Sequence, residues 1–444
     1  MSRRSATAVI NRTTSDLETA CRYLPGGAIF TVGWRRPARP TYWIERGEGA
    51  YVYTSDGRRL LDVVLGSASL LLGHCPAAVS EAVKAQIDRG VIFAHLSAPV
   101  IELARLMAEA IPGAQKIRFT NSASEAMLYA LRAVRARTGK EKVLKFEGAY
   151  HGFPDALLFN TNYGDQSRWR EAPIATPDSP GIGASSQGSV LVAPYNDIDQ
   201  TRAIVSAHHA DLAAIVVEPV MRGIASRPGF LEGLRACADA FHLPLVFDET
   251  ITGFRLAYGG AQEFYGVPAD LAVYGKGLGA GYPIGAVAGS DEYMSVFDPE
   301  SADDVRIYAL GSFHGNPLCA TAAVHCLRSL RDPSVYRELN GYGDRLRDGL
   351  LELFRRYGLV VQMTGVGSIV EFFFGAEPIT DYRSITRSTL RYKQLLGDEL
   401  PNHGVFGGGG RYTSSTCHRR PELEKMLHAV EETLGVLRRR GAIP

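Results

Sequence analysis

Between residues 76 and 332 the chain alternates stretches of helical apolar spacing with short unbroken apolar runs. The helical stretches are Ala77 to Arg89, Leu103 to Ala110 and Ser124 to Thr138. The runs are KIRFTN, KVLKFEG, SVLVAPY, LAAIVVEPV, LPLVFDE, DLAVYGKG and PIGAVAGS. Most lack polar alternation, which is the pattern of strands covered on both faces. Seven such runs with helical connections predict a large, mainly parallel, doubly wound α/β sheet. Ahead of them, Thr41 to Val64 carries two turn signals, Gly47-Glu48-Gly49 and Ser55-Asp56-Gly57, between β-rich runs, and predicts an antiparallel meander. After Pro333 helical stretches return, with VVQMTG and SIVEFFF as further strands. The expected organisation is an N-terminal segment of a small domain over 1–75, a large α/β domain over 76–332 and the rest of the small domain over 333–444. The smaller α+β domain is thus built from both termini.

Composition narrows the classes. The 444 residues are 45% hydrophobic and 21% charged, ordinary for a globular protein. A formal net charge of +1 points to neither nucleic acid nor an anionic membrane as partner. Cys21, Cys75, Cys237, Cys319, Cys326 and Cys417 are scattered without a CxxC pair, which fits reduced thiols in the cytoplasm, and no metal site is expected. The N-terminus lacks the apolar core of a secretory signal, and no apolar run reaches the ~20 residues of a membrane helix. Only eight lysines occur, so each can be weighed singly.

In an open parallel sheet, ligands bind at the carboxyl ends of the strands. The polar residues ending the runs include Thr120-Asn121-Ser122, Tyr150-His151, Glu218, Asp248 and Lys276. Asp248 and Lys276 lie 28 residues apart, about one crossover unit between parallel strands, so both should emerge at the same edge. A carboxylate and a lysine placed there suit pyridoxal phosphate. The amine bonds the cofactor aldehyde, and the carboxylate keeps the pyridine nitrogen protonated, which makes the ring an electron sink. The lysine can then move the substrate proton as general acid and base, a task that needs a lowered pKa. Alone, Asp248 reads equally well as a helix cap or structural ion pair. Ser122-Ala123-Ser124-Glu125, opening a helix after a strand, could bind a phosphate at the helix N-terminus, and reads equally as an ordinary capping box. Tyr150 offers an aromatic face to a ring, or is a packed loop aromatic.

NSASEA, YHG, VVEPV, FDETITGFR, YGKGLGAGYPIGA and GSFHGNPL occur in this order. Together they resemble the class III aminotransferases, most closely the glutamate-1-semialdehyde aminomutase branch, over nearly the whole chain. The resemblance implies fold type I of the pyridoxal-phosphate enzymes and a homodimer with shared active sites. It implies Lys276 as the lysine bonded to the cofactor, Asp248 as the pyridine partner and Glu218 as the acid near the substrate. It places Ala123 and Ser124 at the family's phosphate-binding positions, Tyr150 at the stacking aromatic with His151 beside it, and Thr250 where the family usually has valine against the other cofactor face. Ser312 takes the place of a phosphate-binding threonine given by the neighbouring subunit.

The substrate side departs from the aminomutases. The position of their carboxylate-binding arginine falls on Gly33, with Arg35 and Arg36 close by. Their tryptophan before the Leu-Gly-His segment becomes Ser67, and their gating glutamate falls within Gly407-Gly408-Gly409-Gly410-Arg411. Arg411 is a candidate fork for a carboxylate, or a surface arginine in a glycine loop. From these departures the expected function is not that of the aminomutases. It is an aminotransferase carrying an amino group from an amino acid donor, such as glutamate, to an aldehyde or ketone acceptor. The setting would be specialised metabolism such as amino-sugar or aminoglycoside antibiotic biosynthesis. The alternatives are an aminomutase, epimerase or elimination enzyme on the same cofactor. A nucleotide-dependent enzyme or non-catalytic binding protein on the same scaffold is a third reading.

Overall fold

The computed structural model describes residues 16–27, 43–162, 173–302, 304–407 and 410–444. Near the N-terminus, β1 (Ile44–Glu48), β2 (Tyr51–Thr54) and β3 (Arg59–Asp62) form the expected antiparallel meander. The large sheet takes β4 (Lys116–Thr120), β5 (Lys142–Phe146), β6 (Val190–Ala193) and β7 (Leu212–Val217). The hairpin β8 (Val220–Met221) and β9 (Ile224–Ala225) follows, and then come β10 (Leu245–Asp248), β11 (Leu271–Tyr274) and β12 (Gly285–Gly289). All seven apolar runs supply one strand each, in the order β4-β12-β11-β10-β7-β5-β6. β12 runs antiparallel to both its neighbours, β11 and β4.

The lack of polar alternation in these runs has its reason in the packing. Ile215, Val217, Phe247 and Tyr274 point into one apolar core, while Ala214, Val216, Val246 and Val273 point into another on the opposite face. The first core is closed by α1 (Ala77–Ile87) and α2 (Ala98–Ala110), and by further helices that follow in the chain. The second is closed by α3 (Ala123–Thr138), through Met127, Ala130, Leu131 and Val134. With both faces dry, each fully buried Val, Ile or Leu stabilises the sheet by about 1.5–3 kcal/mol, so apolar residues dominate the strand interiors, with Lys145 of β5 an exception. α2 begins at Ala98, earlier than its apolar spacing indicates, because Pro99 is accommodated in the first turn, where its missing N–H costs nothing.

The two ends of the chain share a third core. α4 (Pro333–Arg356) presents Tyr342, Leu346, Leu350 and Leu353 along one side. It packs on β13 (Val361–Val366) and β14 (Ile369–Phe374), which pair antiparallel as the apolar runs suggest. β15 (Val405–Phe406) joins the N-terminal meander in parallel with β3, while β16 (Tyr412–Thr413) pairs with β14. α5 (Arg420–Arg439) closes this core through Met426, Val430 and Leu434. Among the described residues no helix is long and apolar enough to cross a membrane.

Gly343 marks where α4 meets the β13–β14 turn. A Cβ there would come 2.0 Å from the Gly367 carbonyl oxygen. Alanine adds about 1 kcal/mol of helix propensity, yet the helix would have to lift off a backbone that cannot yield. Gly343→Ala is expected to destabilise by about 2 kcal/mol net, seen as a lower urea midpoint by circular dichroism. An unchanged or higher midpoint would contradict this packing.

Candidate active site

β7, β10 and β11 lie side by side and parallel, so their carboxyl ends open on one edge. Glu218 directly follows β7, Asp248 closes β10, and Lys276 stands two residues beyond β11 at φ +38. The sheet therefore delivers all three expected side chains to one place. Asp248 is held from two sides. Its Oδ2 lies 2.8 Å from His151 Nδ1, and its Oδ1 accepts the Thr250 backbone N–H at 3.1 Å and the Thr250 hydroxyl. Glu218 Oε1 accepts the Tyr150 N–H at 2.8 Å, which ties the Tyr150-His151 turn to the end of β7.

Burial pushes these groups in different directions. It raises Glu218, and the neighbouring Asp248 charge raises it further, against the opposing pull of His151, the Tyr150 N–H and Arg411. Burial alone would raise Asp248 too, but the hydrogen bond and charge of His151, with the Thr250 bonds, outweigh it and hold Asp248 below the usual carboxylate range. The Lys276 amine is lowered by burial; Asp248 and Glu218 resist this, while Arg411 and Arg255 reinforce it. Two carboxyls pushed apart beside a lysine with a lowered pKa are the arrangement that acid–base work requires.

The phosphate end is built by α3. Ser122 is its N-cap, its Oγ accepting the Glu125 N–H, while Glu125 reaches back to the Ser122 and Asn121 N–H groups. This capping box leaves the first-turn amides of Ala123 and Ser124 facing outward, with the positive end of the helix behind them. Space around that turn is reduced to backbone contact. A Cβ on Gly152, at φ +82, would meet Ser124 Oγ at 2.3 Å, and one on Gly275 would meet the Ala123 methyl at 2.9 Å. The residues fit pyridoxal phosphate. Ala123 and Ser124 would hold its phosphate, Tyr150 and Thr250 would flank its ring, Asp248 would take its ring nitrogen, and Lys276 its aldehyde carbon.

The other expected residues are placed as follows. Arg411 lies close enough to influence Glu218 and Lys276, and its Nε is buried with no hydrogen-bond partner among the described residues. Ser67 is exposed on the run Leu65–Ala68, where all four residues have φ between +50 and +71. That run packs against the Lys276–Gly279 turn. Ser312 is exposed on the loop before Asn316, and the neighbouring His314 ring packs edge-on against Tyr129 of α3. Gly33, Arg35, Arg36, Gly408 and Gly409 lie outside the described residues.

Three buried cations escaped the reading of the sequence. Arg222, at φ +53 in the β8–β9 turn, donates from Nε to the Gly148 carbonyl at 2.6 Å. From Nη2 it reaches the Thr161 carbonyl and Asn162 Oδ1 at 2.6 and 2.9 Å. Lys145 donates to the Ala149 and Leu157 carbonyls at 2.9 Å each and also to Phe159, and burial pulls its amine down to about 7. Both clamp the loop that carries Tyr150 and His151. Arg255, in FDETITGFR, is fully buried and bonds the carbonyls of Ala68 and Ser414 and the Ser368 hydroxyl. The Arg-Gly pair after VVEPVM was a turn signal at the ligand edge. The partners of Arg222 and Arg255 lie in distant segments, beyond the reach of local spacing, and those of Lys145 in the loop that follows its own strand.

Arg222→Leu leaves two buried carbonyls without donors and should weaken retention of pyridoxal phosphate about tenfold or more, with Arg222→Lys restoring part of it, as measured by equilibrium dialysis. Capture of the cofactor requires the neutral amine of Lys276. Its rate, followed against pH by absorbance, should therefore rise through a midpoint below the 10.5 of an ordinary lysine. Arg411→Leu removes a charge that disfavours the ammonium, so the midpoint should move up. A downward move would contradict the placement of Arg411.

The class-III aminotransferase family model matches residues 34–399. The glutamate-1-semialdehyde 2,1-aminomutase of Methanopyrus kandleri is 37% identical over 93% of this chain and 95% of its own length. The crystal structure of an omega-transaminase from Sphaerobacter thermophilus superposes with TM-score 0.89 at 35% identity, covering 96% of this chain and 98% of its own. A transaminase with PLP bound superposes with TM-score 0.87 at 27% identity, covering 97% and 99%. The expectation of an aminotransferase in specialised metabolism is corrected by the curated relatives, which at 33–38% identity over most of the chain are named glutamate-1-semialdehyde 2,1-aminomutase. That expectation rested on three substrate-side positions, while the identity to these relatives runs over most of the chain. The chain belongs to the class-III aminotransferase family, with the type I fold and the pyridoxal-phosphate cofactor of that family.

Proposed function

We propose that the protein is an aminomutase of the glutamate-1-semialdehyde type, moving an amino group between adjacent carbons of one small carboxylate substrate. The observation that carries this reading is the whole-chain identity to relatives bearing that name. The geometry supports it through Arg411, whose buried Nε faces no partner among the described residues and whose charge reaches Glu218 and Lys276. A substrate carboxylate forked by this guanidinium would hold the reacting carbons over the Lys276 amine.

When bound, the cofactor supplies the electron sink that makes a carbon-bound proton acidic. The chain supplies everything else. Asp248, fixed by His151 and Thr250, keeps the ring nitrogen charged. Lys276 Nζ, its pKa lowered by burial, takes the proton from one carbon and returns it to the next. Glu218, raised by burial and by the Asp248 charge, holds a proton more firmly than an ordinary carboxyl and can pass it to the oxygen or nitrogen at the reacting carbons. The amino group changes carbon while the carbonyl oxygen leaves as water at one carbon and is replaced from water at the other, so no separate amino donor or acceptor is consumed.

The reading includes a homodimer in which Ser312 serves the neighbouring subunit's phosphate site. Its support is the exposure of Tyr308, Leu310 and Phe313 on that loop, at 79, 72 and 61%. Apolar side chains this exposed and this clustered are the signature of a surface that is covered in use. Free thiols at all six cysteines fit a cytoplasmic setting.

The test is incubation of the cofactor-loaded enzyme with glutamate-1-semialdehyde alone, followed by NMR. The expected result is conversion to the amino-shifted isomer, itself a keto acid, as the one product, and a loss of about a thousandfold or more in Lys276→Ala. No turnover unless a second amino compound is added, with keto acid appearing in equal amount, would overturn the aminomutase reading. Racemised or eliminated product would replace it with epimerase or lyase chemistry.

A further inference from the structure

Asp248 carries more hydrogen bonds than its task of pairing with a ring nitrogen needs. A carboxylate offers about four lone-pair sites. Three are taken here: Oδ2 by His151 Nδ1 at 2.8 Å, and Oδ1 by the Thr250 N–H at 3.1 Å and by the Thr250 hydroxyl. One remains for the cofactor. The Asp248 side chain is 5% exposed, so each of these bonds acts in a medium of low polarity and is not diluted by solvent. The hydroxyl bond depends on the residue type at this position. A valine would keep the backbone N–H bond and the shape of the side chain but would remove the O–H donor.

We propose that Thr250 is a positioning residue that acts through Asp248, its hydroxyl drawing charge from the carboxylate and so loosening the grip of Asp248 on the ring proton of bound pyridoxal phosphate. A carboxylate that already receives a charge-assisted bond has less electron density for the remaining donor. The pyridine nitrogen then holds its proton less firmly, and the ring withdraws electrons less strongly. The other groups facing Asp248 are His151, Glu218, Lys276 and Tyr150. All of them are present whatever residue stands at 250, so the hydroxyl is the one variable. The lowered pKa of Asp248, to which the Thr250 bonds contribute, agrees with this direction. This inference rests on the cofactor assignment and is independent of which reaction the enzyme performs.

The measurement is the 15N resonance of ring-labelled pyridoxal phosphate in the reconstituted enzyme, recorded as a function of pH. Wild type, Thr250→Val, Thr250→Ala and Thr250→Ser are compared. Valine and alanine lack the hydroxyl and should both move the resonance toward the protonated form. Serine keeps it and should stay with wild type. The inference is overturned if valine and alanine coincide with wild type. It is equally overturned if serine moves as far as they do, because serine keeps the hydroxyl and its loss could then not be the cause. Two hydroxyl-free variants of different size keep the comparison decisive if one of them folds poorly.

Discussion

Everything at the ligand edge depends on the parallel pairing of β10 with β7 on one side and β11 on the other. That pairing places a lysine amine and two carboxylates within one another's fields while burying all three. Isolated buried charges would cost several kcal/mol each. The arrangement persists because every charge is met: Asp248 by His151 and Thr250, Glu218 by the Tyr150 N–H, and Lys276 by the two carboxylates. The cost of burial that remains unmet appears as displaced pKa values, which are the source of the chemistry.

A second ring of charges supports the first. Arg222 and Lys145 face backbone carbonyls and not carboxylates, so their positive charge fixes the path of the loop carrying Tyr150 and His151. Asp178 holds the same loop from its N–H side, accepting from Thr161 and Asn162. The segment that would stack on the cofactor is thus gripped at its donors and its acceptors alike. Apolar burial of Ala149, Leu157 and Phe159 adds to this grip.

Asp248, Lys276 and the Ser122 cap were legible because a strand covered on both faces carries few polar residues before it ends. The first polar residue after each run therefore marks the ligand edge. The direction of β12 was not legible. Its run, Gly285 to Gly289, consists of small residues and fits either direction, and only contact with β4 settles it. β15 and β16 are two residues long, too short for any period to show. On the substrate side the sequence misled. Gly33, Ser67 and the glycine run before Arg411 were weighed as three losses, although a site is defined by what converges in space. Arg411 converges on Glu218 from that same glycine run.

Arg255 bonds the carbonyls of Ala68 and Ser414 at once, and β3 pairs with β15 across almost the full length of the chain. The wall beside Lys276 is therefore stitched from segments more than three hundred residues apart in the chain. During synthesis the large sheet can close while the C-terminal part is still being made, but the mouth of the site has no second side until the last strands emerge. A nascent chain of this protein would carry the reactive lysine before it carried the means to choose what reaches it.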